Sequence, residues 1–318
     1  MINRQTWIAG IALLFLILGG GTSHSTKEST VALKPAHLTV AFTESAFHGI
    51  KRQDAEIAFK AFTKSIGINS GYDISVRVKT FKNVDDIKDL PVKERPELVI
   101  LDSLTFLEMG ETPWIDPVFM TSQQGQVAKS YLLLTHQDSK LRALSDLRGK
   151  SLNLCATNNA KLGDCWLNSL LKEKKLGSPA EFFTKVELHD KPMPALLPVF
   201  FNKTDAAIID TLKFKLMTEL NPQLNKMHTV IASEPLVESV ICASDSEWSS
   251  KKFKEAVLKQ MIDLHRSLSG QQILTLFKVD QIVPYESAYL NSMRTIHDRL
   301  KSPDKSRTRQ QRQKPAFN

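Results

Sequence analysis

Residues 97–109 read ELVILDSLTFLEM, an apolar strand that runs directly into a helix. The chain before this stretch alternates in the same way, with apolar residues at strand spacing and then at helical spacing. The predicted strands are 38–43, 74–78 and 97–101. The predicted helices between them are 55–66, which Gly67 closes, and 84–90. This β-α-β-α-β order predicts a parallel, doubly wound sheet.

A second α/β series follows Trp114 to Met120, where Pro117 interrupts the strand pattern. Its predicted strands are 131–135, 151–154, 182–188, 206–209, 230–233 and 237–243, and the helices are 162–175, 193–201, 253–268, 271–278 and 285–300. The helices that follow the second unit can lead the chain back to the first unit. The pattern therefore predicts two doubly wound α/β lobes with a ligand cleft between them.

The chain crosses between these lobes twice, near 115–130 and 230–240, which predicts a two-segment hinge. We place lobe 1 at 36–118 and 236–300, and lobe 2 at 119–235. The sequence shows no internal repeat.

Residues 1–25 are typical of a secretory signal peptide. Arg4 precedes an apolar run from Ile8 to Leu18, and Ser23-His24-Ser25 is a small-x-small cleavage pattern. The run is shorter than the ~18 residues that span a bilayer. We expect an exported, periplasmic protein, with an uncleaved N-terminal anchor as the alternative.

The net charge of +8 is concentrated at the C-terminus, where residues 301–318 are rich in Lys and Arg and contain Asp304 as their one acid. This segment is predicted to be disordered, either solvated or attracted to an anionic membrane surface. The rest of the mature chain, 26–300, is close to neutral. Together with export, that balance argues against a nucleic-acid partner.

The sequence contains no nucleotide-binding GxGxxG or GxxxxGK[ST], no GxSxG, no HExxH and no CxxC motif. The eight histidines are scattered, with no pair at metal-ligand spacing. We therefore expect no enzyme, no metal and no cofactor. Two exported lobes around a cleft predict a binding protein.

Three stretches carry a resemblance to a known family. Residues 144–154, LSDLRGKSLNL, resemble the strand opening of type II periplasmic solute-binding proteins. Residues 187–190 and 202–210, ELHD and NKTDAAIID, and SEP at 233–235 before VICA at 240–243, resemble the phosphate/phosphonate-binding branch. The resemblance implies a clamp that closes on a small anionic ligand and docks on the permease of an ABC transporter.

In the phosphonate branch, a loop after the strand that follows "GK" caps a helix N-terminus and holds the anion. The corresponding residues here are Thr157, Asn158 and Asn159, which could donate hydrogen bonds, and Lys161, which could add charge. The loop departs from the family's Ser-Thr-Ser-Gly, and plain N-capping by an asparagine is the alternative. His189 matches a position that the family places near its cleft; a satisfied histidine is the alternative.

Other candidate ligand residues stand at strand ends, because open parallel sheets bind ligands at the carboxyl ends of their strands. These are Thr43, Ser45, Ser103 and Asp210. Helix capping by Ser103 and Asp210 is the alternative. Glu44 and Asp102 also stand at strand ends, but their carboxylates would repel an anion unless they pair with a cation. Trp114 and Tyr131 could line the cleft, with packing in the core as the alternative, and Glu234 lies in a hinge segment, with a solvated charge as the alternative.

Cys155 and Cys165 flank the 157–161 loop, and a disulfide between them is possible in an exported protein. Pairings with Cys242 stay open, and buried thiols are the alternative.

The sequence thus predicts a solute-binding protein that delivers a phosphate- or phosphonate-like oxyanion to an ABC transporter. The first alternative is a periplasmic sensor that acts on a membrane histidine kinase. The second is an enzyme on the same fold, of the thiamine-pyrimidine-synthesis type.

Overall fold

The computed structural model describes residues 33–47, 51–156, 162–245 and 248–302. The strands are β1 Lys34–Thr43, β2 Tyr72–Phe81, β3 Leu98–Asp102, β4 Ile115–Ser122, β5 Ala128–Lys129, β6 Tyr131–Thr135, β7 Ser151–Cys155, β8 Lys185–His189, β9 Ala206–Asp210, β10 His228–Ala232, β11 Leu236–Val237, β12 Ser239–Ser244 and β13 Gln281–Pro284. The helices are α1 Arg52–Ser70, α2 Asp85–Lys88, α3 Ser103–Met109, α4 Leu162–Glu173, α5 Pro179–Phe182, α6 Pro192–Phe200, α7 Thr211–Leu220, α8 Lys251–Asp263, α9 Leu268–Leu276 and α10 Asn291–Lys301.

The first sheet has the order β13-β4-β12-β3-β1-β2. Strand β1 pairs in parallel with both β2 and β3, as the alternating strand and helix pattern predicts. The other half differs from the prediction, because β12, β4 and β13 join it antiparallel. This sheet is therefore mixed.

The interruption predicted at Pro117 is wrong, since Pro117 lies inside β4. The register of β4 against β12 shifts between Ile241 and Cys242, and Pro117 stands opposite Cys242 at this irregularity. Proline has no N–H to give to a ladder, and a bulge is where a strand tolerates that loss.

The second sheet has the order β10-β6-β9-β7-β8, with β7 parallel to β8 and β9, and with β6 and β10 antiparallel. A third, two-stranded sheet joins β5 to β11. These two short strands lie in the chain segments that pass between the two large sheets. The two passages therefore pair with each other.

One hydrophobic core runs from the first sheet to the second. It contains Leu101 of β3, Leu154 of β7, Val237 of β11 and Met293 of α10. Two further cores cover the remaining faces of the sheets. Helix α10 packs on α3 and on α4, and thus contacts helices that belong to different sheets.

Two helices end elsewhere than predicted. Helix α1 continues past Gly67, where a Cβ would lie 2.4 Å from the carbonyl oxygen of Tyr72, and it ends at Gly71, whose φ of +76° suits glycine. The helix predicted over 253–268 ends at Asp263 as α8. The helix predicted over 271–278 begins earlier, at Leu268, as α9, and Ser267 caps it by accepting a hydrogen bond from the N–H of Gly270. No range was predicted for helix α7, although the capping alternative for Asp210 implies a helix at this place.

Candidate functional site

The carboxyl ends of β1 and β3 bring together three polar side chains. Thr43 is buried, and the Ser45 hydroxyl lies 3.1 Å from the Thr43 hydroxyl, to which it donates. Ser45 also contacts the carboxylate of Asp102. Asp102 caps α3 by accepting from the N–H of Thr105 at 3.0 Å. The helix cap expected of Ser103 is thus made by the residue before it.

Ser103 is committed to the fold. Its buried hydroxyl donates to the carbonyl oxygen of Val237 at 2.6 Å, and its N–H donates to that of Glu238 at 3.0 Å. These bonds tie the end of β3 to the chain passage that contains β11. A serine predicted as a ligand donor therefore connects the first sheet to the hinge region.

At the second sheet, the carboxyl ends of β7, β8 and β9 share one edge because these strands are parallel. Asp210, at the end of β9, is fully buried and caps α7 by accepting from the N–H of Lys213 at 2.9 Å. The ammonium group of Lys213 pairs with the same carboxylate. The capping alternative for Asp210 is correct, and the carboxylate also holds a cation.

A second lysine approaches Asp210 from the hinge. Lys129, on β5, is only 5% exposed; its Nζ lies 2.5 Å from Glu238 Oε1 and 3.9 Å from Asp210 Oδ2. The same Nζ donates to Gln123 Oε1 at 3.0 Å. We call Lys129, Asp210, Lys213 and Glu238 the buried charge network. It joins both chain passages to the second sheet.

The pKa values of this region follow from its burial and its carboxylates. Desolvation lowers the pKa of Lys213, but the charges of Asp210 and Glu238 outweigh it and raise the pKa above its ordinary value. Burial, with the same two acids, raises the pKa of Tyr131 well above its usual range. Lys213 is therefore an ammonium ion at neutral pH, and Tyr131 is a neutral phenol.

The network lines an open cleft of about 1020 Å³. One wall comes from the loop after β4, through Gln123 and Gln124, and from the segment 275–280, which leads from α9 to β13. The opposite wall comes from α7, through Leu212, Lys213 and Leu216, with Lys129 and Glu238 between the two walls. The cleft is thus bounded by segments that adjoin the two sheets and by the chain passages, and its size suits a small ligand.

Thr157, Asn158, Asn159 and Lys161 lie outside the described residues. His189 ends β8, where its carbonyl oxygen accepts from the N–H of Ala156 at 3.0 Å. Its Nε2 is buried and has no hydrogen-bond partner among the residues that the structure describes. His189 and Ala156, the last described residue before 157–161, are therefore neighbours at the edge that contains Asp210.

The other candidates serve packing or face solvent. Tyr131 and Trp114 are buried in the core, and the guanidinium of Arg95 lies 5.1 Å from the centroid of the Trp114 ring. Glu44 and Glu234 are exposed.

The three cysteines, all described, are buried thiols with no disulfide between them. Cys155 ends β7, and Cys165 lies on α4. Burial raises the pKa of Cys155 and of Cys242, which makes both thiols poorly reactive. The structure corrects the possible Cys155–Cys165 disulfide in favour of the buried thiols that were its alternative.

Sequence reasoning missed three members of the network: Lys129, Lys213 and Glu238. Lys213 stands three residues after the predicted strand-end Asp210, which is the spacing of a cap and its first-turn partner. Lys129 and Glu238 fall in the two predicted hinge segments. A charge of opposite sign in each hinge segment was the signal that could have found them.

Within the described residues, no cluster of three or more His, Cys, Asp or Glu side chains could hold a metal ion. In the same part of the chain, no helix combines the length and the apolar character needed to cross a membrane.

Comparison with solved structures shows the fold. A Xanthomonas citri protein bound to chloride ion is 12% identical with a TM-score of 0.58, covering 86% of this chain and 99% of that one. The binding-protein component of an ABC phosphonate transporter from Pseudomonas aeruginosa is 12% identical with a TM-score of 0.52, covering 87% of this chain and 93% of that one. PhnD1 from Prochlorococcus marinus in complex with methylphosphonate is 14% identical with a TM-score of 0.53, covering 83% of this chain and 98% of that one. The predicted α/β fold class is confirmed.

Comparison with curated protein sequences found no match. A protein-family model, described as ABC transporter, phosphonate, periplasmic substrate-binding protein, matches residues 50–290, which is most of the chain. The family consists of substrate-binding transport proteins, not enzymes; it binds small ligands, works with ABC transporter permeases and implies export. This chain belongs to the family of periplasmic substrate-binding proteins of phosphonate ABC transporters.

Proposed function

We propose that this protein binds a small phosphonate-like oxyanion in the cleft between its two sheets and delivers it to an ABC transporter. The observation that carries the proposal is Lys213, an ammonium ion 23% exposed at the cleft wall and held there by the buried Asp210. A charge-assisted hydrogen bond from a lysine is a strong contact for a phosphonate oxygen.

The remaining donors would come from the same edge of the second sheet. The proposed ligand residues there are Thr157, Asn158, Asn159 and Lys161, which precede α4, and His189. Main-chain N–H groups at a helix start favour an anion. The buried Nε2 of His189, without a partner among the described residues, fits a hydrogen bond to the ligand or to this loop. At the first sheet, Thr43 and Ser45 would contact the ligand from the opposite side.

Closure would move the two sheets about the β5–β11 pair. We propose the lobes as 36–118 with 236–300, and 119–235, although β4 belongs to the first sheet up to Ser122. Hinge motion needs few residues, and both passages between the sheets pair within this one short ladder.

We also propose that a signal peptide at residues 1–25 directs export, and that the basic tail 301–318 contacts a membrane surface.

The sensor alternative makes a different prediction. If the protein feeds a permease, loss of the protein from its own cell abolishes uptake of the bound oxyanion. If it acts on a histidine kinase, uptake continues.

Ligand binding is tested by thermal unfolding of the full chain, purified from the exported fraction, against methylphosphonate, phosphate, phosphite and sulfate. A ligand at 100 times its Kd stabilises the folded state by roughly 2.7 kcal/mol, which in a chain of this size is a shift of several degrees. Lys213→Met should abolish the shift. Lys215→Met, an exposed lysine on the same helix, is the matched control and should keep it.

No shift with any oxyanion contradicts the proposal. A shift that survives Lys213→Met unchanged would move the site away from the cleft wall.

A further inference from the structure

An apolar pocket lies between the first sheet and the helices α1, α8 and α9. One part of its lining is aromatic: the rings of Phe42 and Phe277 stack with centroids 6.1 Å apart, and the Phe59 ring is 5.8 Å from each of them. Met261 of α8 and Ile273 of α9 also line the pocket. No function described above uses this space.

The pocket adjoins the cleft. Glu238, Phe277 and Val279 line both spaces. The hydroxyls of Thr121 and Ser239, at the same end, are 2.7 Å apart and bond to each other. These two hydroxyls therefore already have a hydrogen-bond partner, and a ligand that enters here need not offer them a polar group.

The chemistry of the pocket selects its occupant. An apolar cavity stays dry, so hydrocarbon that enters it displaces little bound water and is removed from bulk water. A second anionic group would lose its hydration here, and the described residues that line the pocket include no lysine or arginine to pair with it. An oxyanion in the cleft could therefore extend only an uncharged, apolar substituent past Phe277.

We propose that the pocket receives the alkyl chain of an organophosphonate whose charged head occupies the cleft. The inference rests on the proposed function and names its substrate class: phosphonates with a linear hydrocarbon chain of several carbons. Burial of each methylene group should tighten binding roughly fourfold, since it contributes ≈ 0.8 kcal/mol. Affinity should stop rising when the pocket is full.

The test measures the affinity of the full chain for methyl-, butyl- and hexylphosphonate by titration calorimetry. Butylphosphonate should bind at least about tenfold more tightly than methylphosphonate. Ile273→Trp, which fills the pocket from α9, should remove this gain and leave methylphosphonate binding unchanged. Ile57→Trp, at a residue of α1 that is 66% exposed and does not line the pocket, is the matched control and should keep the gain.

A second readout does not depend on the variant folding. The methyl group of Met261, labelled with carbon-13 and assigned with Met261→Leu, should shift when hexylphosphonate binds and not when methylphosphonate binds. The methyl group of Met293, buried in α10 outside the pocket, should stay in place.

Equal affinities along the series, with an unmoved Met261 signal, overturn the pocket inference and leave the proposed function standing. If no phosphonate binds at all, the proposed function fails, and with it the inference. Binding of 1-hexanol at Met261 in that case would show an apolar site unconnected with an oxyanion, which also overturns it.

Discussion

Replacement of Lys129 by methionine tests whether the buried charge network holds the hinge region together. Lys129 is 5% exposed and lies 2.5 Å from Glu238 and 3.9 Å from Asp210, which is fully buried. At an effective dielectric constant of about 20, unit charges at these separations attract by about 7 and about 4 kcal/mol. Desolvation of the lysine offsets most of this attraction. Removing one partner of a buried pair nevertheless costs roughly 3–5 kcal/mol, because the other charge stays buried.

We therefore expect Lys129→Met to lower the free energy of unfolding by roughly 3–5 kcal/mol at neutral pH. The matched control is Lys185→Met. Lys185 lies 2.6 Å from Glu187, nearly the separation in the buried pair, but its side chain is 65% exposed. An exposed pair contributes about 1 kcal/mol or less. The two variants thus differ in burial and hardly in geometry.

The assay is urea unfolding at neutral pH, followed by far-ultraviolet circular dichroism. The variant loses stability because it buries carboxylate charge without the lysine. Equal losses for Lys129→Met and Lys185→Met would refute the reasoning.

Three further predictions concern stability. Burial raises the pKa of Glu97, with partial opposition from its hydrogen bonds and the charge of His37; the folded state therefore binds this proton more tightly than the unfolded chain does. The stability that Glu97 contributes is present below its unfolded pKa of 4.5 and is lost as pH rises through the higher folded value. Glu97→Gln should therefore make the free energy of unfolding, measured in urea, depend less on pH. An unchanged pH dependence contradicts this. Arg299 on α10 lies 2.9 Å from Glu173 Oε2 and 3.0 Å from Ser169 Oγ on α4. Because the ion pair is partly exposed, Arg299→Met should lower the free energy of unfolding by about 1 kcal/mol or less. A loss several times larger would contradict this and show that the packing of α10 depends on Arg299. A Cβ at Gly270 would lie 1.9 Å from the carbonyl oxygen of Leu264, so Gly270→Ala should lower the unfolding free energy by roughly 1–3 kcal/mol, and wild-type stability in the same urea assay contradicts the close approach.

The parallel part of each sheet could be predicted from the sequence. Apolar residues at strand spacing alternate with apolar residues at helical spacing around β1 to β3 and β7 to β9, and both patterns reflect the face that each element buries. The stretch 206–210 is the clearest case, since every residue of β9 is buried. Local pattern suffices where an element's neighbours are close in the chain.

The position of the break between α8 and α9 could not be predicted in that way. Met261, Leu264 and Leu268 continue the apolar spacing of α8, so the pattern places the break after Leu268, whereas α8 ends at Asp263. The turn depends instead on the close approach of the Leu264 carbonyl to Gly270, a contact that periodicity does not encode. The strands β4 and β13 escaped prediction for a related reason, and β12 was predicted without its antiparallel pairing: the partners of these strands are distant in the chain.

The same distinction separates the parts of the site. Asp210 and Lys213 are neighbours on one helix turn, whereas Lys129 and Glu238 meet only because β5 pairs with β11. Strand-end reasoning found the carboxylate and missed the cations around it. It consequently predicted an edge of isolated donors and acids, where the structure has paired charges.

Pairing changes what can attract the ligand. The network contains two lysines and two carboxylates, so the sum of its charges is zero and it attracts an oxyanion little from a distance. At contact, Asp210 and Glu238 already face their lysines, and an oxyanion gains mainly from Lys213, whose side chain reaches the cleft wall. Selectivity in the proposed site then depends on hydrogen-bond geometry, and Asp210 holds the lysine that meets the anion.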